Sequence, residues 1–235
     1  MSKDNSSKYR LTYFNMKSLG EPSRWILEYT GTPYVDDRIP SDMIAWYTQR
    51  KAEFGSTVGQ VPVLHETGKR ELSQSGVISR YLASQNGLVG DTPWDNARID
   101  EVISLLFDLY DAWRKATVLE TDAARKTESM SGVIRPKFKI YYEKFSKILE
   151  EEKGDFVLGS KLTHADFWLA HFTQFWGTPL KGERPTLPPN FLDLSDSDML
   201  IGLVDEFPLL KKHMETVTSI PQIKDWLSRR PSTVL

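Results

Sequence analysis

The hydrophobic period of this chain changes once, near Asn86, and that change limits what it can fold into. Before it, apolar runs of strand length alternate with segments of helix length. Beyond it, apolar residues recur three and four apart almost to the C-terminus. Side chains repeat about every two residues in a strand and about every 3.6 in a helix, so a change of period is a change of architecture.

Residues 9–14 (YRLTYF) alternate and are rich in aromatics, which predicts a strand. Glu21 and Pro22 open a helix that carries Trp25, Ile26 and Tyr29 on one face, and Gly31 and Pro33 stop it. Residues 34–39 read as a second strand and 41–53 as a weaker helix opened by Ser41 and Asp42. Val61-Pro62-Val63-Leu64 reads as a strand with proline at its start or edge, where a missing N–H is tolerated. Gly68 makes a turn, Arg70 to Leu72 supply a hairpin partner, and a helix follows Ser73 to about Ser84. The order β-α-β-α-β-β-α over 1–86 predicts an α/β domain, a mixed sheet flanked by helices.

Gly87, Gly90 and Pro93 form a linker. Residues 94–235 then read as an all-helical domain. Ile99, Val102, Ile103, Leu106, Leu109 and Trp113 mark its first helix, and a second is predicted over about 127–153. Thr163-His164-Ala165-Asp166 is an acidic variant of the capping box and opens a third. Four prolines make 177–200 an irregular loop, and helices resume near Leu200 and Pro221.

Composition excludes several functions. The formal net charge is -2 with no basic stripe, so nucleic acid is not an expected partner. The absence of cysteine rules out disulfides, thiolate metal sites and a cysteine nucleophile. His164 and His171 miss the i, i+4 spacing of a zinc helix and read as capping or packing residues. No stretch nears the ~18 apolar residues of a membrane span. The opening MSKDNSSK lacks the apolar core of a signal peptide, so the cytoplasm is the expected location.

Residue by residue, the polar and aromatic candidates carry bland readings. Tyr13 fits a strand aromatic that packs inward, and Pro62 an ordinary trans edge proline. Ser73 or Ser75 fits a helix cap. Trp46 and Arg50, four apart on one face, fit a packed indole beside a solvated arginine. Glu101, Ser104, Asp108 and Asp111 fit a solvated helix face.

Their order weighs against reading them singly. Tyr9-Arg10-Leu11-Thr12-Tyr13-Phe14-Asn15-Met16 is followed by Glu21, and later come Gly59-Gln60-Val61-Pro62-Val63-Leu64 and Gln74-Ser75 with Ile78 to Leu82. Near the end stand Ile220-Pro221, Trp226-Leu227 and Arg229-Arg230-Pro231. This series resembles the sigma class of cytosolic glutathione transferases, which includes the glutathione-dependent prostaglandin D synthase. The likeness covers nearly the whole chain, apart from 177–200 and a few extra residues before Gly59.

The resemblance implies a thioredoxin-like glutathione-binding domain, then a helical domain lining the electrophile site, in a cytoplasmic homodimer with a detoxifying role. Glutathione is the implied co-substrate. Tyr13 is implied to be catalytic, its hydroxyl donating to the glutathione sulfur and favouring the thiolate. A free thiol has a pKa of ~8.5, so little of it is ionised at neutral pH without such help. Val61 before an implied cis Pro62 would present its backbone to the cysteinyl unit. Gln74 and Ser75 would hold the γ-glutamyl carboxylate at a helix start. Trp46, Arg50 and Gln60 would hold the glycyl carboxylate, and Asp108 would reach the amine of a partner's glutathione. Phe14, Met16 and Tyr110 are the implied electrophile contacts, with Trp113 and Leu235 as weaker ones.

Three departures matter. Leu19 stands where the family usually has an arginine six residues after the tyrosine, which implies a less depressed thiol pKa unless Lys17 or Arg24 substitutes. Ser104 and Phe107 replace acidic residues that bind a divalent metal in the prostaglandin synthase, so no metal is expected. Lys115 replaces that enzyme's pocket tryptophan. The resemblance therefore implies glutathione conjugation, with prostaglandin isomerisation or a weakly active, crystallin-like binding protein as alternatives.

Overall fold

A computed structural model describes residues 7–40, 46, 51, 56–120, 122–178 and 199–233. Most of the predicted helix over 41–53, including Arg50, lies outside the described residues, as do Leu235 and nearly all of the predicted loop. The chain divides into two compact units. The first is drawn chiefly from Met1–Gly87 with Pro221–Leu235, and the second from Leu88–Leu180 with Leu187–Ile220.

In the first unit a four-stranded mixed sheet forms in the order β2-β1-β3-β4. β1 (Tyr9–Phe14) has neighbours on both edges, and all its residues but Arg10 are buried, as an inner strand requires. β2 (Tyr34–Ile39) pairs with it in parallel, so the chain must cross over between them. That crossover carries α1 (Glu21–Tyr29), with Pro22 in its first turn, where a missing N–H costs nothing. β3 (Val63–Glu66) runs antiparallel to β1, with Leu11 opposite Leu64. β4 (Leu72–Ser73) closes the hairpin with β3. α2 (Ser75–Ser84) follows and buries Ile78 and Leu82.

The C-terminal helix belongs to this unit, although the period of the sequence groups it with the helical half. This helix (Pro221–Arg229) packs on α1 and buries Ile223 and Trp226. Side-chain bonds to α1, described below, account for its place.

The second unit is helical among the described residues. α3 (Pro93–Arg114) starts at a capping box between Thr92 and Asp95. The helix predicted over 127–153 is divided into α4 (Ala123–Ser129) and α5 (Arg135–Glu152). Between them the backbone widens, and Arg135 N–H reaches the Met130 carbonyl five residues back. Pro136 explains the break, because it lacks an N–H and its ring would strike the carbonyl four residues earlier. α6 (His164–Gly177) is the core element, with Phe167, Trp168, Phe172, Phe175 and Trp176 all buried. Trp113 of α3 and Phe138 of α5 meet the Trp176 ring at 6.5 and 4.8 Å between centroids. Such aromatic pairs are worth about 0.5–1.5 kcal/mol each beyond the area they bury.

The predicted capping box at the start of α6 forms. The Asp166 carboxylate accepts the Thr163 N–H at 2.7 Å, the Val157 N–H at 2.7 Å and His213 Nε2 at 3.0 Å. His213 comes from α7 (Pro208–Ser219), so one buried carboxylate joins two helices and a loop. With α7 numbered, the C-terminal helix (Pro221–Arg229) is α8.

Candidate active site

Tyr13 lies in β1 opposite Arg38 of β2 and is 4% exposed. Its ring packs against Gly20, where a Cβ would fall 2.8 Å from Tyr13 Cγ and closer still to Cδ1. No side chain fits there, so the glycine is a steric requirement of the tyrosine's position. The Phe14 ring meets the Tyr13 ring edge-on at 5.5 Å, and the Arg24 guanidinium lies 5.8 Å from its centroid.

Arg24 is fully buried and ties together the backbone that follows Tyr13. Its Nη1 donates to the Met16 carbonyl at 2.8 Å and its Nη2 to the Phe14 carbonyl at 3.3 Å. Ion pairs to Glu21 at 3.2 Å and Asp36 at 3.0 Å neutralise it. Burial works against its charge, but Asp36 and Glu21 outweigh burial and raise its pKa further. Glu21 is equally buried, and its Oε1 accepts from Trp226 Nε1 at 2.8 Å, Arg230 Nη1 at 2.8 Å and Trp25 Nε1 at 3.2 Å.

Gln60 and Gln74 come together on the surface of the same unit. Gln74 Nε2 donates to Gln60 Oε1 at 3.0 Å, and both residues are exposed. The Val61–Pro62 peptide bond is cis, Val61 is half-buried and Pro62 buried. Gln74 immediately precedes α2 with φ 75° and ψ 113°, and its side chain makes no capping bond. An L-residue held there costs about 1–3 kcal/mol, and such strain gathers at functional sites. Ser75, the first residue of α2, is 5% exposed. Phe14 and Met16 are buried, and the buried Trp46 ring meets Phe14 edge-on at 5.2 Å. Arg50, its predicted companion, lies outside the described residues.

The second unit holds Asp108 and Tyr110. Asp108 is exposed and hydrogen-bonds the Tyr141 phenol, whose pKa is pushed up by burial first and by this carboxylate second. Tyr110 is half-buried, with Phe172 at 5.5 Å and Trp113 at 5.8 Å. Trp113, 2% exposed, sits in the helical core, which is where its apolar spacing puts it. Among the described residues no group of three or more His, Cys, Asp or Glu could hold a metal ion.

Comparison with known proteins decides the family. The glutathione S-transferase N-terminal domain matches residues 9–84, and the glutathione S-transferase C-terminal domain matches residues 107–230. Glutathione S-transferase 3 of Caenorhabditis elegans is 32% identical over 228 residues, spanning 96% of this chain and 98% of the relative. The chain belongs to the glutathione S-transferase family. Among solved structures, prostaglandin synthase D of Nilaparvata lugens superposes with a TM-score of 0.76 at 29% identity, over 95% of this chain and 98% of that one. A monomeric glutathione S-transferase, Na-GST-3 of Necator americanus, does so with a TM-score of 0.76 at 27% identity, over 97% and 99%. The chain is thus an enzyme of a family that uses glutathione as co-substrate, on a thioredoxin-like domain followed by a helical one. Among the described residues, no helix is long and apolar enough to cross a membrane.

Within this transferase, Leu19 is half-buried and brings no charge to Tyr13. The two cations named as substitutes differ. Arg24 is close to Tyr13 but neutralised by two carboxylates. Lys17 is half-buried, and burial, then the Arg230 charge, lower its pKa to about 8, with Glu21 opposing them. Glu21 is not among the expected site residues, and the signal for it in the sequence is its i, i+3 spacing to Arg24 at a helix start. Nothing in the sequence marks Gln74 for positive φ, because that conformation favours glycine or asparagine.

Proposed function

We propose that this enzyme conjugates glutathione to apolar electrophiles, with Tyr13 as the group that keeps the bound thiol ionised. The observation that carries the reading is the fixed seat of the Tyr13 ring, held between Phe14, Arg24 and a glycine that admits no side chain. A hydroxyl stabilises a thiolate most when its position is set before the ligand arrives, and a clamped ring favours that. The O–H donates to the sulfur, the thiol proton leaves to solvent, and the thiolate attacks. With an aryl halide a C–S bond forms and halide departs. Holding the two partners together supplies most of the remaining acceleration.

Gln60, Val61, Pro62, Gln74 and Ser75 are the proposed glutathione contacts of the sheet domain, with Trp46 and Arg50. The strain stored at Gln74 and the uncapped first turn of α2 support an acidic ligand group there. Phe14, Met16 and Tyr110 are the proposed electrophile contacts. We assign the chain to the sigma class, acting as a detoxifying homodimer in the cytoplasm, with Asp108 serving a partner's glutathione. A molecular mass in solution of one chain would remove that role from Asp108.

A second reading, isomerisation of prostaglandin H, is favoured by the likeness to the Nilaparvata lugens prostaglandin synthase D. Lys115 opposes it, being a charged residue paired with Asp111 at 2.6 Å where that activity calls for tryptophan. Product analysis on the endoperoxide separates the two. The test of the main reading is turnover of an aryl halide with glutathione by the wild type beside Tyr13→Phe. The variant is expected to lose most activity, and an unchanged rate would remove Tyr13 from the mechanism.

A further inference from the structure

We propose that Trp226 and Arg230, in and just after α8, are positioning residues for Tyr13 that act through Glu21 and Arg24. The inference rests on the catalytic reading of Tyr13 given above.

The chain of contacts is short and buried. The Phe14 and Met16 carbonyls, one and three residues past the phenol, are both fixed by Arg24. A guanidinium with no exposed surface stays in place only while its counter-charges do, and these are Glu21 and Asp36. Glu21 in turn is a buried carboxylate, and its Oε1 depends on N–H donors to be satisfied and oriented. Two of those donors lie more than two hundred residues downstream: Trp226 Nε1 and Arg230 Nη1, each at 2.8 Å. Arg38 joins the same cluster, donating to Asp36 at 2.7 Å and to Asn15 at 3.1 Å, with its guanidinium 5.9 Å from the Trp226 ring centroid.

The effect is one of geometry. Two carboxylates cancel the Arg24 charge, so Arg24 adds little net field at the phenol. What it fixes are the Phe14 and Met16 carbonyls, in the stretch that leads from Tyr13 to Gly20, and Gly20 sits against the Tyr13 ring. With Leu19 in place of an arginine, the orientation of the phenol falls to this relay from the C-terminus. Loss of a donor to Glu21 frees the carboxylate to turn, loosens Arg24 and lets the hydroxyl drift from the sulfur.

The test compares Trp226→Phe, Arg230→Gln and Arg230→Lys with the wild type, with Tyr13→Phe and with Asp225→Asn, a change at an exposed α8 residue whose carboxylate pairs with Arg229 at 2.8 Å. Read for each are thermal unfolding, kcat and KM for glutathione, and the pKa of the bound thiol from thiolate absorbance. Trp226→Phe and Arg230→Gln are expected to fold and to lose about tenfold in kcat, since small misplacements are costly to a reacting geometry. KM for glutathione should stay within about twofold, which separates lost activation of the thiol from lost binding of the tripeptide. The bound thiol pKa should rise towards the free value of ~8.5. Arg230→Lys should recover most of kcat, and Asp225→Asn should match the wild type. Unchanged kcat and thiol pKa in folded Arg230→Gln, or a loss confined to KM, overturns the relay. Should Trp226→Phe fail to fold, the two Arg230 variants decide. An unaffected Tyr13→Phe refutes the catalytic reading itself, a different failure.

Discussion

Gln74 shows how one residue can hold a conformation that its own chemistry disfavours. Its φ of 75° places Ser75 and the first turn of α2 beside the Gln60 amide, and no side-chain cap compensates for the strain. Gln74→Gly removes the Cβ that makes this conformation costly. Relief of about 1–3 kcal/mol of strain, less the roughly 0.5–1 kcal/mol that glycine's freedom in the unfolded chain costs, should stabilise the fold by about 1 kcal/mol in urea unfolding. Glutathione affinity should fall at the same time, because the amide is gone. A loss of about 1 kcal/mol, the full entropic cost of glycine with no relief against it, would show that the position is not strained. Lys17 makes the opposite case, a charge held where burial opposes it. Its pKa is about 8 in the folded chain against 10.5 ordinarily, so the unfolded chain binds more protons between those values. Stability should therefore rise with pH through that window. Lys17→Met should flatten the rise, as read by unfolding midpoints from pH 7 to pH 11. A variant with the same slope as wild type would show that another group titrates there.

Among the elements, β1 and α1 were legible in the sequence because each combines a period with a stop signal. Aromatic alternation marks β1, and Pro22 and Gly31 bracket α1. The capping box of α6 was legible for the same reason: Thr163 and Asp166 have the spacing that the local geometry demands. The split between α4 and α5 was harder to see, because period alone continues across it and only Pro136 signals the break. Nor did the sequence show how much rests on Asp166. Its carboxylate accepts from two backbone N–H groups, the Thr163 hydroxyl and His213, all buried. Asp166→Ala should cost about 2–6 kcal/mol, about 1–3 kcal/mol for each of the two buried backbone N–H groups left without an acceptor. Urea titration followed by far-UV circular dichroism measures it. A loss below about 1 kcal/mol would show that water replaces the carboxylate at little cost.

For the whole molecule, the change of period near Asn86 reported the two architectures but not which parts of the chain build each unit. The last helix has the same 3.6 period as its predecessors, so pattern alone assigns it to the helical half. The Trp226 and Arg230 bonds to Glu21 tie it to the sheet unit. The candidate site divides in the same way. Tyr13, Gln60, Val61, Gln74 and Ser75 could be named from motif order, whereas the hold of Glu21 and Arg24 on the backbone beside Tyr13 depends on bonds to Phe14, Met16 and Trp226 that the spacing of the pair does not report. The account stands on the Tyr13 hydroxyl keeping a bound sulfur ionised, and a titration of the glutathione thiolate absorbance in the binary complex tests that most directly. The wild type should ionise its bound glutathione below the free-thiol value of ~8.5, and Tyr13→Phe should return it to that value. Equal pKa values in the two proteins would contradict the account.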